Sequence, residues 1–92
     1  MKVTYETFAR FVEIFGREGE LDIASGSTLY TALEQLAGTD EGKRKLLFDD
    51  AGSVRKYVII LRNKERIPSE KIREEPMADG DAITVYPPVS GG

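Results

Sequence analysis

The sequence contains no cysteine and no histidine. Without cysteine there is no disulfide, no thiolate nucleophile and no sulfur ligand for zinc. Without histidine, a Ser-His-Asp triad and imidazole metal ligation are both excluded, and no metal site is expected. Glu, Asp, Lys and Tyr remain as bases, but the common hydrolytic machinery is missing. Any chemistry here rests on a group that a scan of side chains overlooks. No apolar run approaches the roughly 20 residues that cross a bilayer. The N-terminus opens into Met1-Lys2-Val3-Thr4-Tyr5 with no signal-peptide pattern, so the expected location is cytoplasmic, away from membranes. Basic charge is not in excess: 13 Lys and Arg face 16 Asp and Glu. Nucleic acid is therefore not expected as the partner, because phosphate binding needs a concentrated positive surface.

What is present suits one small soluble domain. The 92 residues leave no room for two cores, and 40% hydrophobic with 32% charged residues argues against a disordered chain. Residues 1–8 alternate, with Val3, Tyr5 and Thr7 on one side and Lys2, Thr4, Glu6 and Phe8 on the other, the period of a half-buried strand. Phe8, Phe11, Val12 and Phe15 then recur at helical spacing up to Gly16. Residues 18–24 alternate again, with Leu21 and Ile23 inward. Ser27 or Thr28 caps a helix whose stripe is Leu29, Leu33 and Leu36, filled by Ala32 and Ala37 and ended by Gly38. Residues 39–48 suggest a second short helix, with Lys43-Arg44-Lys45 as its solvated face.

The run Tyr57-Val58-Ile59-Ile60-Leu61 reads as a central strand paired on both sides. Asn63-Lys64 turns into a short edge strand cut by Pro68, residues 69–78 read as irregular, and Asp79-Gly80-Asp81 turns into a last strand over 82–86. In that strand Ile83 and Val85 face inward, and Thr84 and Tyr86 outward. Leu33, Leu36, Ile59 and Val85 are expected to join helix to sheet. One amphipathic helix covers one face of such a sheet and leaves the other open to a partner. Phe8 and Tyr86 are its candidate anchors, although Phe8 could instead fold back onto Phe11 and Phe15.

The chain ends Tyr86-Pro87-Pro88-Val89-Ser90-Gly91-Gly92. Pro87-Pro88 stops the strand and favours extended geometry. Six residues reach about 20 Å at roughly 3.3 Å each, and two residues without side chains thread a slot too narrow for a Cβ. Residues 1–86 are thus expected to form the domain and 87–92 a flexible Gly-Gly tail.

With these residues the chain resembles the MoaD branch of the ubiquitin-like sulfur carriers, which includes the small subunit of molybdopterin synthase and archaeal relatives acting as protein modifiers. The most specific element is the C-terminal motif. Tyr5 to Gly16 and the stretch Leu47-Phe48-Asp49-Asp50-Ala51-Gly52-Ser53-Val54-Arg55-Lys56-Tyr57-Val58 support it. The implied fold is an α+β β-grasp, a mixed four- to five-stranded sheet with one main helix packed on one face. The implied function is that of a non-catalytic carrier subunit of a molybdopterin-synthase-type complex, in molybdopterin or tungstopterin cofactor biosynthesis. A ThiF/MoeB-like activating enzyme would use ATP to adenylate the carboxylate of Gly92, sulfur transfer would make it a thiocarboxylate, and a MoaE-like large subunit would take the sulfur. The chain itself would bind no cofactor. Phe8, Tyr86, Pro87, Pro88, Val89, Ser90 and Gly91 are the residues this implies for partner contact. The alternative is a ubiquitin-like modifier joined to target-protein lysines through Gly92. An inert interaction domain is a third reading, and the shorter thiamine-pathway carriers are a more distant likeness. Val12 stands where the family often has Arg, so no partner contact of that Arg carries over.

Overall fold

The computed structural model describes residues 1–88. Its elements run β1 (Lys2–Thr7), α1 (Phe11–Phe15), β2 (Glu18–Asp22), α2 (Leu29–Ala37), α3 (Glu41–Leu47), β3 (Ile59–Arg62), β4 (Glu65–Arg66), a 3-10 turn (Ser69–Lys71) and β5 (Ala82–Tyr86). The strands form one five-stranded sheet in the order β2-β1-β5-β3-β4. β1 and β5 pair in parallel, and the other neighbours are antiparallel. This is the mixed sheet of a β-grasp. Among the described residues no helix is long and apolar enough to cross a membrane.

Local signals explain most of the elements. β1 alternates as its residues dictate, with Val3 and Thr7 buried and Lys2, Thr4 and Glu6 exposed. The buried Thr7 is satisfied because its hydroxyl donates to the Gly16 carbonyl at 2.5 Å. Thr28, the second of the two candidate caps, accepts the Thr31 amide on its hydroxyl oxygen and starts α2. Asp40 does the same for α3 through the Lys43 amide at 3.0 Å. Leu29, Ala32, Leu33 and Ala37 of α2 and Leu47 of α3 meet Val3, Ile60, Ile83 and Val85 of the sheet in one core. Gly19 sits directly across from Tyr5, and a Cβ there would lie 2.8 Å from the Tyr5 ring. The aromatic side chain covers the strand where its partner has no side chain.

Five expectations need correction. Ile59 is not the residue that joins helix to sheet: Ile60 is fully buried. The antiparallel register pairs Ile60 with Val85 and Ile59 with Tyr86, so Ile59 turns to the opposite face. Leu36 lies at the margin of the core and is only partly buried. β3 is paired on both sides, but the middle of the sheet belongs to β5. Tyr57 stands outside the strand, 68% exposed. A run of five apolar residues has no period of its own, so neither its strand limits nor its inward set can be read along the chain. The helix beginning at Phe8 in the sequence reading starts at Phe11.

The segment 69–78 is more than a connection. It buries Ile72 and Met77 in the core. The guanidinium of Arg73 lies 4.2 Å from the centre of the Tyr30 ring and donates to the Gly52 carbonyl at 2.9 Å, tying the segment to α2 and to the loop after α3.

The entry to β5 is held by a polar knot. Asn63 and Lys64 both take positive φ, 50° and 72°, the turn that matches the twist of a tight hairpin. Lys64 lacks the freedom of glycine, and its neighbours compensate. The Asn63 amide donates to Asp81 at 2.9 Å and its carbonyl oxygen accepts the Ala82 amide at 2.9 Å. Asp81 also accepts from Arg62 at 2.9 Å and from the Ala78 amide at 2.7 Å, while Arg62 reaches Glu75 at 3.2 Å. Burial pushes the Asp81 carboxyl up, but the bonds from Asn63, Ala78 and Arg62 outweigh it and hold the group below the usual carboxylate value.

Two outcomes follow. A carboxylate with a depressed folded pKa contributes stability above its unfolded value of about 3.9, and that stability is lost as pH falls through the folded value. Acid unfolding of the wild type should therefore carry an Asp81 component below about pH 4 that the Asp81→Asn variant lacks, read by circular dichroism against pH. Ile60→Ala should cost about 2–5 kcal/mol in urea unfolding, and Ile59→Ala much less. Equal costs would contradict the register.

Candidate functional site

The parallel pairing of β1 and β5 ends with Thr7 beside Val85. One residue further along each strand, Phe8 and Tyr86 meet on the face away from the helices. Their rings stack with centroids 4.6 Å apart and planes 12° from parallel, a favourable aromatic arrangement. Tyr86 is 37% exposed and Phe8 half-buried. Phe8 thus does not fold back onto Phe11 and Phe15, which pack edge to face with each other at 5.2 Å. The separation is made at Ala9, whose φ of 53° turns the chain away from the sheet before α1 begins. Such a backbone is uncommon for a residue with a Cβ. Here it leaves Phe8 on the sheet while α1 enters the core.

Register extends the patch. Ile59 lies beside Tyr86 on its other flank, and Leu61 beside Thr84. Both are half-buried. The apolar run Tyr57–Leu61 carries no period that assigns either residue to this face, and Ile59 is expected there to face the helix. The only signal for them is the β3–β5 register, which is a relation between strands 20 or more residues apart.

The exit from β5 differs from the expected boundary. Pro87 is buried and Pro88 half-buried, so packing continues past Tyr86, and Pro87 sets the direction of the chain instead of offering surface in the free protein. Its fixed φ and missing N–H suit that role. Val89, Ser90, Gly91 and Gly92 lie outside the described residues.

Chemically, the face offers area and orientation. It holds an aromatic pair with aliphatic flanks, at the point where the central strand hands over to the C-terminal segment. Among the described residues no group of three or more acidic side chains could hold a metal ion.

The same architecture recurs in known proteins. The ThiS family model matches residues 6–92. Small archaeal modifier protein 1 of Haloferax volcanii is 32% identical, over 96% of this chain and 98% of its own. The crystal structure of that organism's SAMP1 superposes with a TM-score of 0.86 at 30% identity, covering both chains fully. A putative molybdopterin converting factor, subunit 1, from Pyrococcus furiosus superposes with a TM-score of 0.75 at 26% identity, over 97% of this chain and 99% of its own.

The stacked pair should be measurable in the free protein. A double-mutant cycle of Phe8→Ala and Tyr86→Ala in urea unfolding should give a coupling of about 0.5–1.5 kcal/mol, with each single variant still folded. A coupling indistinguishable from zero would show that the rings do not meet in solution.

Proposed function

This chain belongs to the ThiS family, and from that membership we propose that it is a ubiquitin-like carrier whose reactive group is the main-chain carboxylate of Gly92. The observation that carries the reading is the position of the Phe8–Tyr86 stack, on an open sheet face at the root of the segment ending in Gly91-Gly92. An enzyme that holds the stack has the terminus within about 20 Å of its grip.

An α-carboxylate has a pKa near 3.5 and is an anion at neutral pH, so it resists nucleophiles until activated. The activation belongs to a ThiF/MoeB-like enzyme using ATP. A carboxylate oxygen of Gly92 attacks the α-phosphorus, pyrophosphate leaves, and an acyl-adenylate results. A sulfur nucleophile then displaces AMP and leaves a thiocarboxylate, which donates sulfur to the pterin precursor of a molybdenum or tungsten cofactor on a MoaE-like synthase subunit. The likeness to the Pyrococcus converting-factor subunit supports that destination. The second reading, a modifier, differs only in the nucleophile: a lysine amine displaces AMP and forms an amide. The likeness to a small archaeal modifier protein favours it. Both routes share the step at Gly92, and neither requires a catalytic side chain from this protein.

Deleting Gly91 and Gly92 should abolish adenylation while changing unfolding free energy by no more than about 0.5 kcal/mol. Full activity in pyrophosphate exchange after truncation would overturn the proposal. In protein isolated from its host, exchange of oxygen for sulfur on the carboxylate adds about 16 Da to the intact mass. Conjugates would instead appear as lysines bearing residues 74–92 after trypsin, because Arg73 is the last basic residue. Tyr86→Ala should weaken binding to the activating enzyme by about 1–3 kcal/mol, measured by titration calorimetry.

A further inference from the structure

The end of β5 is built more firmly than a strand stop requires. A single proline removes the N–H that the ladder needs and so ends the strand. Here two stand in succession, Pro87 and Pro88. The second adds nothing to the stop, and a segment that had merely left the sheet would peel into solvent, as chain ends commonly do. Instead Pro87 is buried and Pro88 half-buried. The residues before them are restrained as well. Tyr86 is paired with Ile59 on one flank and stacked on Phe8, and Phe8 is itself held by the turn at Ala9, whose φ is 53°.

Burial fixes where Pro87 lies, and the rings fix φ there and at Pro88 near about −65°. Two such residues in a row favour extended polyproline geometry, which is stiff over several residues. The chain therefore leaves the body along a set line. Only residues 89–92 follow, and four residues span at most about 13 Å. With the root free from Pro87 onward, six residues would sweep about 20 Å. The volume open to the terminal carboxylate goes as the cube of that reach, so the fixed root concentrates it about fourfold, before any gain from direction. Holding a reacting group where it is needed lowers the entropic part of a barrier and requires no contact with the reacting atoms.

We infer that Pro87 is a positioning residue: buried at the exit of β5, it fixes the root from which the Gly92 carboxylate is presented to the activating enzyme, while the Phe8–Tyr86 face supplies the grip. Pro88 extends the same restraint by one residue. The inference rests on the carrier reading above. It replaces partner contact, the role the resemblance implies for Pro87, with one exerted through the direction of the chain.

The test uses the full chain and the ThiF/MoeB-like activating enzyme of the same host. Single-turnover formation of the acyl-adenylate, followed against enzyme concentration, gives a maximal rate and a half-saturating concentration. Pro87→Ala and Pro87→Val should each lower the maximal rate by about threefold to tenfold and leave the half-saturating concentration within about twofold. Valine keeps apolar volume in the buried position but lacks the ring, so a wild-type rate in Pro87→Val would assign Pro87 to packing and overturn the inference. A raised half-saturating concentration at an unchanged maximal rate would make Pro87 a partner contact and overturn it likewise. Wild-type values in both variants would do the same and leave the carrier reading intact. Should neither variant fold, Pro88→Gly, at a half-buried position, carries the test: the maximal rate should fall at least about twofold, and an unchanged rate overturns the inference. A wild-type chain that is not adenylated at all overturns the carrier reading, and this inference with it.

Discussion

The parallel pairing of β1 with β5 is the constraint on which the rest of the molecule depends. The first and last strands lie side by side in the middle of the sheet, although about 75 residues separate them in the chain. Their inward residues, Val3 and Thr7 on one and Ile83 and Val85 on the other, are all essentially inaccessible to water and form the floor on which α2 rests. Closing so long a loop is entropically unfavourable. It is offset by apolar burial on one face and by the ladder itself, so neither strand is stable in place without the other.

The same pairing builds the candidate face. Because the two strands run in parallel, they end together, and the residue after each ladder arrives at the same place. Phe8 and Tyr86 meet for that reason, and the segment bearing the terminus departs from beside them. The carrier proposed here would need a fixed root for its end and an exposed handle close to it, and the parallel pair could supply both. The knot of Arg62, Asn63, Asp81 and Ala82 secures the other end of β5. The last strand is therefore held at its entry by charge and hydrogen bonds and at its exit by aromatic stacking and a buried proline.

A chain without cysteine or histidine can still take part in group transfer when its reactive atoms belong to the backbone terminus. On the proposed carrier reading, what remains for the side chains is recognition.

Much was legible in the residues themselves. The alternation of β1 and β5, the stripe of α2 with its caps and glycine stop, the Gly-Gly terminus and the absence of nucleophiles are local facts, set by side-chain period and residue chemistry. The outward placement of Phe8 and Tyr86 followed from the same period of two. Tertiary structure decided the rest, because each such feature is a relation between distant segments. The β3–β5 register turned Ile60 to the core and Ile59 to the open face, and an unbroken apolar run carries no period that could have told them apart. Register also brought Phe8 onto Tyr86 instead of Phe11 and Phe15. The burial of Pro87 moved the end of the packed domain beyond the last strand, since how far a terminus packs depends on the surface it meets and not on its own sequence.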